Sequence, residues 1–290
     1  MEQGLDRLSA LLERFRVRAH LFHNGPLCGV SRFAAEPGRG FLHVMRSGSM
    51  VVTHRPRSVA ARRIEVSEPS LLFYPRAMAH EFHNAPAEGS DFTCATLSFD
   101  GGDAHPLARA LPAVIVLPLA RVAGLEHTLA LLFGETERVR CGHRLLADRL
   151  FEVLLLQVLR WLMDHPGEGG ISLGLVAALG DPRLARVLTA IHEQPGAAWS
   201  LESMAACAGM SRTAFALCFR SVVGETPAEY LAQWRLAIAQ AELRRGRPLK
   251  VIANELGYAN ASALSRRFAQ SLGCSPRAWA KQAVPNADPT

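Results

Sequence analysis

The sequence predicts an α+β, two-domain chain: a β-sandwich or small barrel with flanking helices in front, and an all-helical tail with two helix-turn-helix units. Three observations carry that prediction. Short runs with a period of two fill the front, the period becomes helical near residue 120, and the tail repeats itself at offsets of 48 and 49. The length of 290 residues suits two domains at roughly 100–200 residues each. With 49% apolar and 20% charged residues the chain is no disordered polymer, and 6 cysteines are too sparse for a disulfide scaffold. No apolar run nears the roughly 20 residues of a membrane span, and Met1-Glu2-Gln3-Gly4 does not begin a secretory leader. A cytoplasmic protein with no membrane partner is expected.

Val17, Ala19, Leu21 and His23 alternate with Arg16, Arg18, His20 and Phe22, which predicts a first strand with the former set inward. Gly40 to Arg46 alternates again and ends in the turn Ser47-Gly48-Ser49. Further strands are expected over Met50–Thr53, Ser70–Tyr74 and Phe92–Phe99, separated by Pro, Gly and Asn clusters. Beyond residue 118, Leu125, Leu129, Leu132 and Phe133 form one helical stripe. Leu145, Leu146, Leu150, Val153, Leu154, Gln157, Val158 and Trp161 form a second. These helices, 119–165, are expected to form a homodimer or to pack on the barrel of residues 1–118. Pro166-Gly167-Glu168-Gly169-Gly170 predicts a flexible linker over 166–182.

Charge separates along the same line. Residues 1–181 carry 19 arginines, no lysine and 19 acidic side chains, whereas residues 182–290 carry 13 basic against 7 acidic. The whole excess of +6 therefore lies in the tail, which makes a polyanion a candidate partner.

The tail, 183–285, contains the repeat. Ala205 and Gly209 recur as Ala253 and Gly257, and Phe219, Gly224 and Pro227 recur as Phe268, Gly273 and Pro276. Each unit, about 200–221 and 249–271, has a small residue where two helices cross and a glycine that permits the turn. Ser211 and Asn260 are expected to cap the second helices, in which Phe215 and Phe219, or Leu264 and Phe268, face inward. The opposite faces stay free for a major groove. Between the units, Ala228 to Arg245 has no Pro or Gly and predicts a rod of roughly 27 Å, close to the ~34 Å turn of DNA.

Residues 183–282 resemble the DNA-binding region of AraC/XylS-type transcription regulators. The likeness rests on Ser200 to Ala205, Gly209-Met210-Ser211, Pro227 to Leu231, Val251-Ile252-Ala253, Gly257-Tyr258, Leu264 to Phe268 and Ser275-Pro276. It implies a DNA-binding regulator, most often an activator, whose partners are double-stranded promoter DNA and RNA polymerase. Carried over by position, Arg212, Thr213, Ala216, Leu217 and Arg220 would serve the first recognition helix. Asn260, Ser262, Ser265, Arg266 and Arg267 would serve the second. Ala216 and Leu217 depart from the polar readers usual there and offer only apolar contact, for instance to thymine methyls.

In the front, Pro75-x-x-x-x-His80-x-x-x-Asn84 resembles the second motif of cupin barrels, with Ala77 where that family usually has Gly. The first motif's His-x-His pair is missing around His43. If His23, His43, His80 and Cys94 point inward, they suit a divalent metal such as zinc. Oxidation of Cys28 with Cys94 is the rival signal, and an unknown small molecule a third. His20, His54, His83, His105 and His127 are expected to be solvated. The alternatives are a constitutive DNA binder with the barrel as a dimerisation scaffold, and a metal-dependent cupin enzyme. No nucleophile elbow or phosphate-binding loop supports catalysis, and a non-enzyme is expected.

Overall fold

The computed structural model describes residues 5–55, 63–85, 87, 89–171 and 173–283. Its contacts divide the chain into a front unit, Arg16–Gly180, and a back unit that joins Met1–Phe15 to Asp181–Thr290.

Among the described residues the front unit has nine strands: β1 (Val17–Leu27), β2 (Val30–Phe33), β3 (Arg39–Ser47), β4 (Met50–Arg55), β5 (Arg63–Val66), β6 (Ser70–Tyr74), β7 (Ala79–Asn84), β8 (Ser90–Phe99) and β9 (Ile115–Pro118). They form two antiparallel sheets, ordered β1-β8-β3-β6-β9 and β2-β7-β4-β5, which face each other without closing into one continuous barrel among the described residues. Phe41, Met45, Leu72, Tyr74, Phe92 and Cys94 of the large sheet pack on Met50, Val52, Val66 and Phe82 of the small one. The other face of the large sheet is buried too, through Leu21, Leu42, Val44, Leu71, Phe73 and Leu97. That double burial explains why β6 has no solvent-facing side chain.

One irregularity corrects the expected alternation. Ala19 and Leu21 pair with Leu97 and Ala95, but a bulge at Phe22 brings His23 opposite Cys94. A one-residue slip reverses every following side chain. His23 therefore leaves the face of Ala19 and Leu21 and joins the rung of Cys94 and His43.

Before β1 lies α1 (Ser9–Arg14); α2 (Pro106–Ala110), α3 (Glu126–Glu137), α4 (His143–Asp164) and α5 (Leu175–Gly180) complete the front half in chain order. α4 runs along β1, where Asp148 and Glu152 accept the backbone N–H groups of Leu21 and Ala19 at 2.6 and 3.3 Å. The expected α4 stripe is rotated. Phe151, Leu154, Leu155, Val158 and Leu162 are buried, while Leu145, Leu146 and Val153 are exposed. The segment expected as a linker, 166–182, also differs. Ile171, Leu175, Val176, Ala178 and Leu179 are buried, because α5 supplies an apolar helix that packs on α2 and α4.

The back unit contains α6 (Pro182–Glu193), α7 (Leu201–Ala208), α8 (Arg212–Val223), α9 (Pro227–Arg244), α10 (Leu249–Glu255), α11 (Ala261–Leu272) and α12 (Pro276–Ala283). Caps fix its boundaries. Asp181, Ser200, Ser211, Thr226 and Asn260 each accept a backbone N–H from the first turn that follows, and Pro182 and Pro227 occupy first positions that need no N–H. The described part of the N-terminal segment, residues 5–15, groups with the back unit. Leu8, Leu11 and Phe15 are buried in the back unit, Phe15 meeting Trp234 edge-on at 5.1 Å. Burial of that size stabilises by roughly 1.5–3 kcal/mol per side chain.

Candidate functional site

The two recognition helices, α8 and α11, are held by equivalent apolar anchors. Phe215 and Phe219 are fully buried on α8, as are Leu264 and Phe268 on α11. With one side of each helix committed to the core, the other is open. Arg212, Thr213 and Arg220 are exposed, Ala216 is half-buried, and Leu217 is 67% exposed. On α11, Ser262 and Arg266 are exposed and Ser265 is half-buried. These eight side chains stand on the free faces that the sequence predicts.

The two other residues carried over to the second unit, Asn260 and Arg267, have partners or surroundings of their own. Asn260 uses its Oδ1 to accept the Ala263 N–H at 2.9 Å, which makes it first of all the cap of α11. Arg267 is half-buried, and its Nε is enclosed without a hydrogen-bond partner. Arg267 also borders a cleft of about 700 Å³ within the back unit, together with Leu217, Arg220, Leu231, Tyr258 and Arg266. Pro227, Ala228, Leu231, Ala232 and Arg235 of the rod α9 line it as well.

Inside the front unit, His43 and His80 meet Nε2 to Nε2 at 3.0 Å. Proton bookkeeping follows from their partners. His80 Nδ1 lies 2.9 Å from the Met78 carbonyl, which can only accept, so Nδ1 carries the proton and Nε2 is bare. His43 must then donate through Nε2, which leaves its buried Nδ1 without a partner. Burial, with a lesser contribution from His80, holds His43 well below the usual imidazole range. His80 is lowered to about 4, again chiefly by burial. Both are neutral near pH 7. Phe33, Phe41, Tyr74 and Phe82 surround the pair, with Tyr74 stacked on His80 at 4.0 Å. A smaller hollow of about 290 Å³, bordered by Arg32, Phe33, Thr53 and Glu81, opens on His80.

His23, His43, His80 and Cys94 do not form a single donor set. Among the described residues no three His, Cys, Asp or Glu side chains are placed to hold one ion. His23 spends its Nε2 on the Gly25 carbonyl at 3.1 Å, and burial pushes the Cys94 thiol well up, away from the thiolate a metal needs. Nor do Cys28 and Cys94 come together. Leu27, next to Cys28, pairs with Ser90, four residues along β8 from Cys94, or about 13 Å of strand. A disulfide requires Cα atoms within roughly 7 Å.

His20 and His127 are exposed and His83 is half-buried, but His54 and His105 are buried, against expectation. His54 Nε2 lies 3.0 Å from the Tyr74 hydroxyl, which extends the polar cluster of His43 and His80. The inward alternation of Val52 and His54 is the signal that could have found it, because β4 continues past Thr53. His105 caps α2 by accepting the Leu107 N–H.

Comparison with known proteins follows this division. Residues 6–164 match the Cupin family profile, and residues 204–282 match a profile described as a helix-turn-helix domain. Over 178 residues the chain is 33% identical to an AraC-like regulator of Streptomyces antibioticus, covering 60% of this chain and 58% of that one. It is 34% identical over 182 residues to the HTH-type transcriptional regulator AlkR of Acinetobacter baylyi, covering 61% and 58% respectively. These two matches therefore span less than two thirds of the relatives' own length. A longer match, 29% identical over 245 residues, covers 82% of this chain and 85% of the RCS-specific HTH-type transcriptional activator RclR of Escherichia coli. Among the described residues no helix is long and apolar enough to cross a membrane.

Proposed function

The chain belongs to the cupin family through its front unit and carries an AraC-type helix-turn-helix domain behind it, and from that premise we propose that it is a sequence-specific DNA-binding transcription regulator. The observation that carries this reading is the duplicated unit with both recognition faces uncovered. Phe219 and Phe268 pin the two helices from below, and Arg212, Arg220 and Arg266 extend above. Guanidinium groups at such positions neutralise phosphates, and side chains between them meet base edges.

The regulator acts as an activator of promoters, in contact with RNA polymerase. The name of the Escherichia coli relative supports that direction. The front unit takes a small-molecule signal at the His43–His80 pair, which the hollow beside His80 reaches. A divalent metal or a Cys28–Cys94 disulfide is the weaker signal, since neither donor set converges. Exposed Leu145, Leu146 and Val153 on α4 support a homodimer. Such a signal shifts DNA binding only by as much as it prefers one arrangement of the protein.

The test is selection of duplexes from a random pool by the full chain, followed by titration of the best duplex at several salt concentrations. Enrichment of a defined sequence, with affinity falling steeply as salt rises, is expected. A pool that emerges unenriched overturns the reading.

A further inference from the structure

The two recognition faces are chemically unlike. Leu217, 67% exposed, is the bulkiest apolar group on the open face of α8, and half-buried Ala216 is its neighbour. Neither can donate or accept a hydrogen bond through its side chain. Arg212 and Thr213 begin that face and Arg220 ends it, so its polar groups lie at the ends and its centre is hydrocarbon. The matching face of α11 is the reverse: Ser262, Ser265 and exposed Arg266 carry hydrogen-bonding groups across the centre.

Base edges offer few partners for hydrocarbon. In the major groove the C5-methyl of thymine is the apolar group, whereas guanine presents O6 and N7 to a bidentate arginine. We propose that α8 reads thymine methyls through Leu217 and Ala216, while α11 reads a guanine through Arg266. The target DNA is then asymmetric, with a thymine-defined half-site under the first unit and a guanine-defined one under the second. Leu217 and Leu231 line the same cleft, so the hydrocarbon at the centre of the α8 face continues into it. Between the two faces runs α9, an unbroken helix over Pro227–Arg244, which fixes the order of the half-sites along the duplex. The proposal rests on the regulator reading and names the chemistry of its site.

The test uses the duplex selected by the full chain. It is resynthesised with deoxyuridine for thymidine in one half-site at a time, and with 7-deazaguanine for guanine. Each methyl removed beneath α8 should weaken binding about fourfold, the equivalent of ~0.8 kcal/mol per buried methyl-sized group. The Leu217→Ala protein should lose most of that sensitivity at the thymine beneath position 217 while keeping it beneath Ala216. Loss of guanine N7 beneath α11 should weaken binding about tenfold, and Arg266→Ala should lose that sensitivity. Deoxyuridine tolerated throughout the first half-site, or equally costly to Leu217→Ala beneath position 217, overturns the proposal while leaving the regulator reading intact. A pool with no enriched duplex overturns both. The uracil arm needs no protein variant, so it stands whatever a substitution does to folding.

Discussion

Gly209 and Gly257 hold the same place in the two helix-turn-helix units, with φ of +67° and +71°, yet their surroundings differ. A Cβ built on Gly209 meets nothing within 4 Å, whereas one on Gly257 would lie 2.4 Å from the Gly196 carbonyl oxygen. Around Gly257 the segment before α7 is clamped further. Arg235 donates to the carbonyls of Pro195 and Ala197, and Arg247 bridges Glu242 and Glu255. The helix starts differ in the opposite sense. Ser200 and Ser203 form a capping box on α7, whereas α10 begins after Pro248 with no side-chain cap. The first unit is thus held by local chemistry and the second by distant parts of the back unit. A repeat conserves the backbone conformation of its turn while the means of holding it diverge.

The largest expected effect separates the two glycines. Gly209→Ala should cost about 1–2 kcal/mol, the strain of a left-handed alanine alone. Gly257→Ala should cost clearly more, about 3 kcal/mol or above, because a carbonyl that cannot swing aside adds to that strain. Urea denaturation of the two variants checks the order, and equal losses would break the comparison.

Acid should act on the first unit ahead of the second. His192 lies against Trp234 at 4.1 Å and 2.6 Å from the Tyr230 hydroxyl, and Tyr230 in turn touches Phe219 of α8. Burial first, then the nearby Arg14 charge, lowers His192 to about 3. A group depressed from about 6.5 in the unfolded chain stabilises fully above pH 6.5 and loses that contribution as the pH falls toward 3. At pH 5 the loss is about 2 kcal/mol. No histidine follows residue 192, so the second unit has no such group of its own. Amide exchange at pH 7 and pH 5 should show protection falling in α8 before α11. A uniform fall would contradict this.

The smallest effect sharpens the contrast of caps. Ser200→Ala should cost about 1 kcal/mol through the loss of its bond to the Ser203 N–H. Replacing Pro248 by Ala should leave the start of α10 without a comparable loss, since no side-chain cap is removed there. Thermal unfolding distinguishes the two.

Much of the back unit was legible because its signals are local. The caps at Ser211 and Asn260, the turn glycines and the inward Phe215, Phe219, Leu264 and Phe268 all lie within one turn of the feature they determine. The front was legible only in part. Strands β3, β4, β6 and β8 announced themselves by apolar runs, but short β2 and β9 did not. The bulge at Phe22 could not be foreseen from alternation, and it decides which face His23 occupies. The rotated stripe of α4 has a similar cause: which leucines are buried depends on where β1 lies, a fact of tertiary packing. At the site, exposure of Leu217 and Arg266 followed from helical spacing, while enclosure of the Arg267 Nε belongs to a cleft lined also by Tyr258 and residues of α9, which no local pattern announces.

The central claim is that both units grip one duplex at once. A hydroxyl-radical and guanine-methylation footprint of the full chain on its selected duplex tests it most directly. Two protected major-groove segments on one face, about one helical turn or ~34 Å apart, are expected. A single protected segment, with the second half of the duplex as reactive as free DNA, would contradict it.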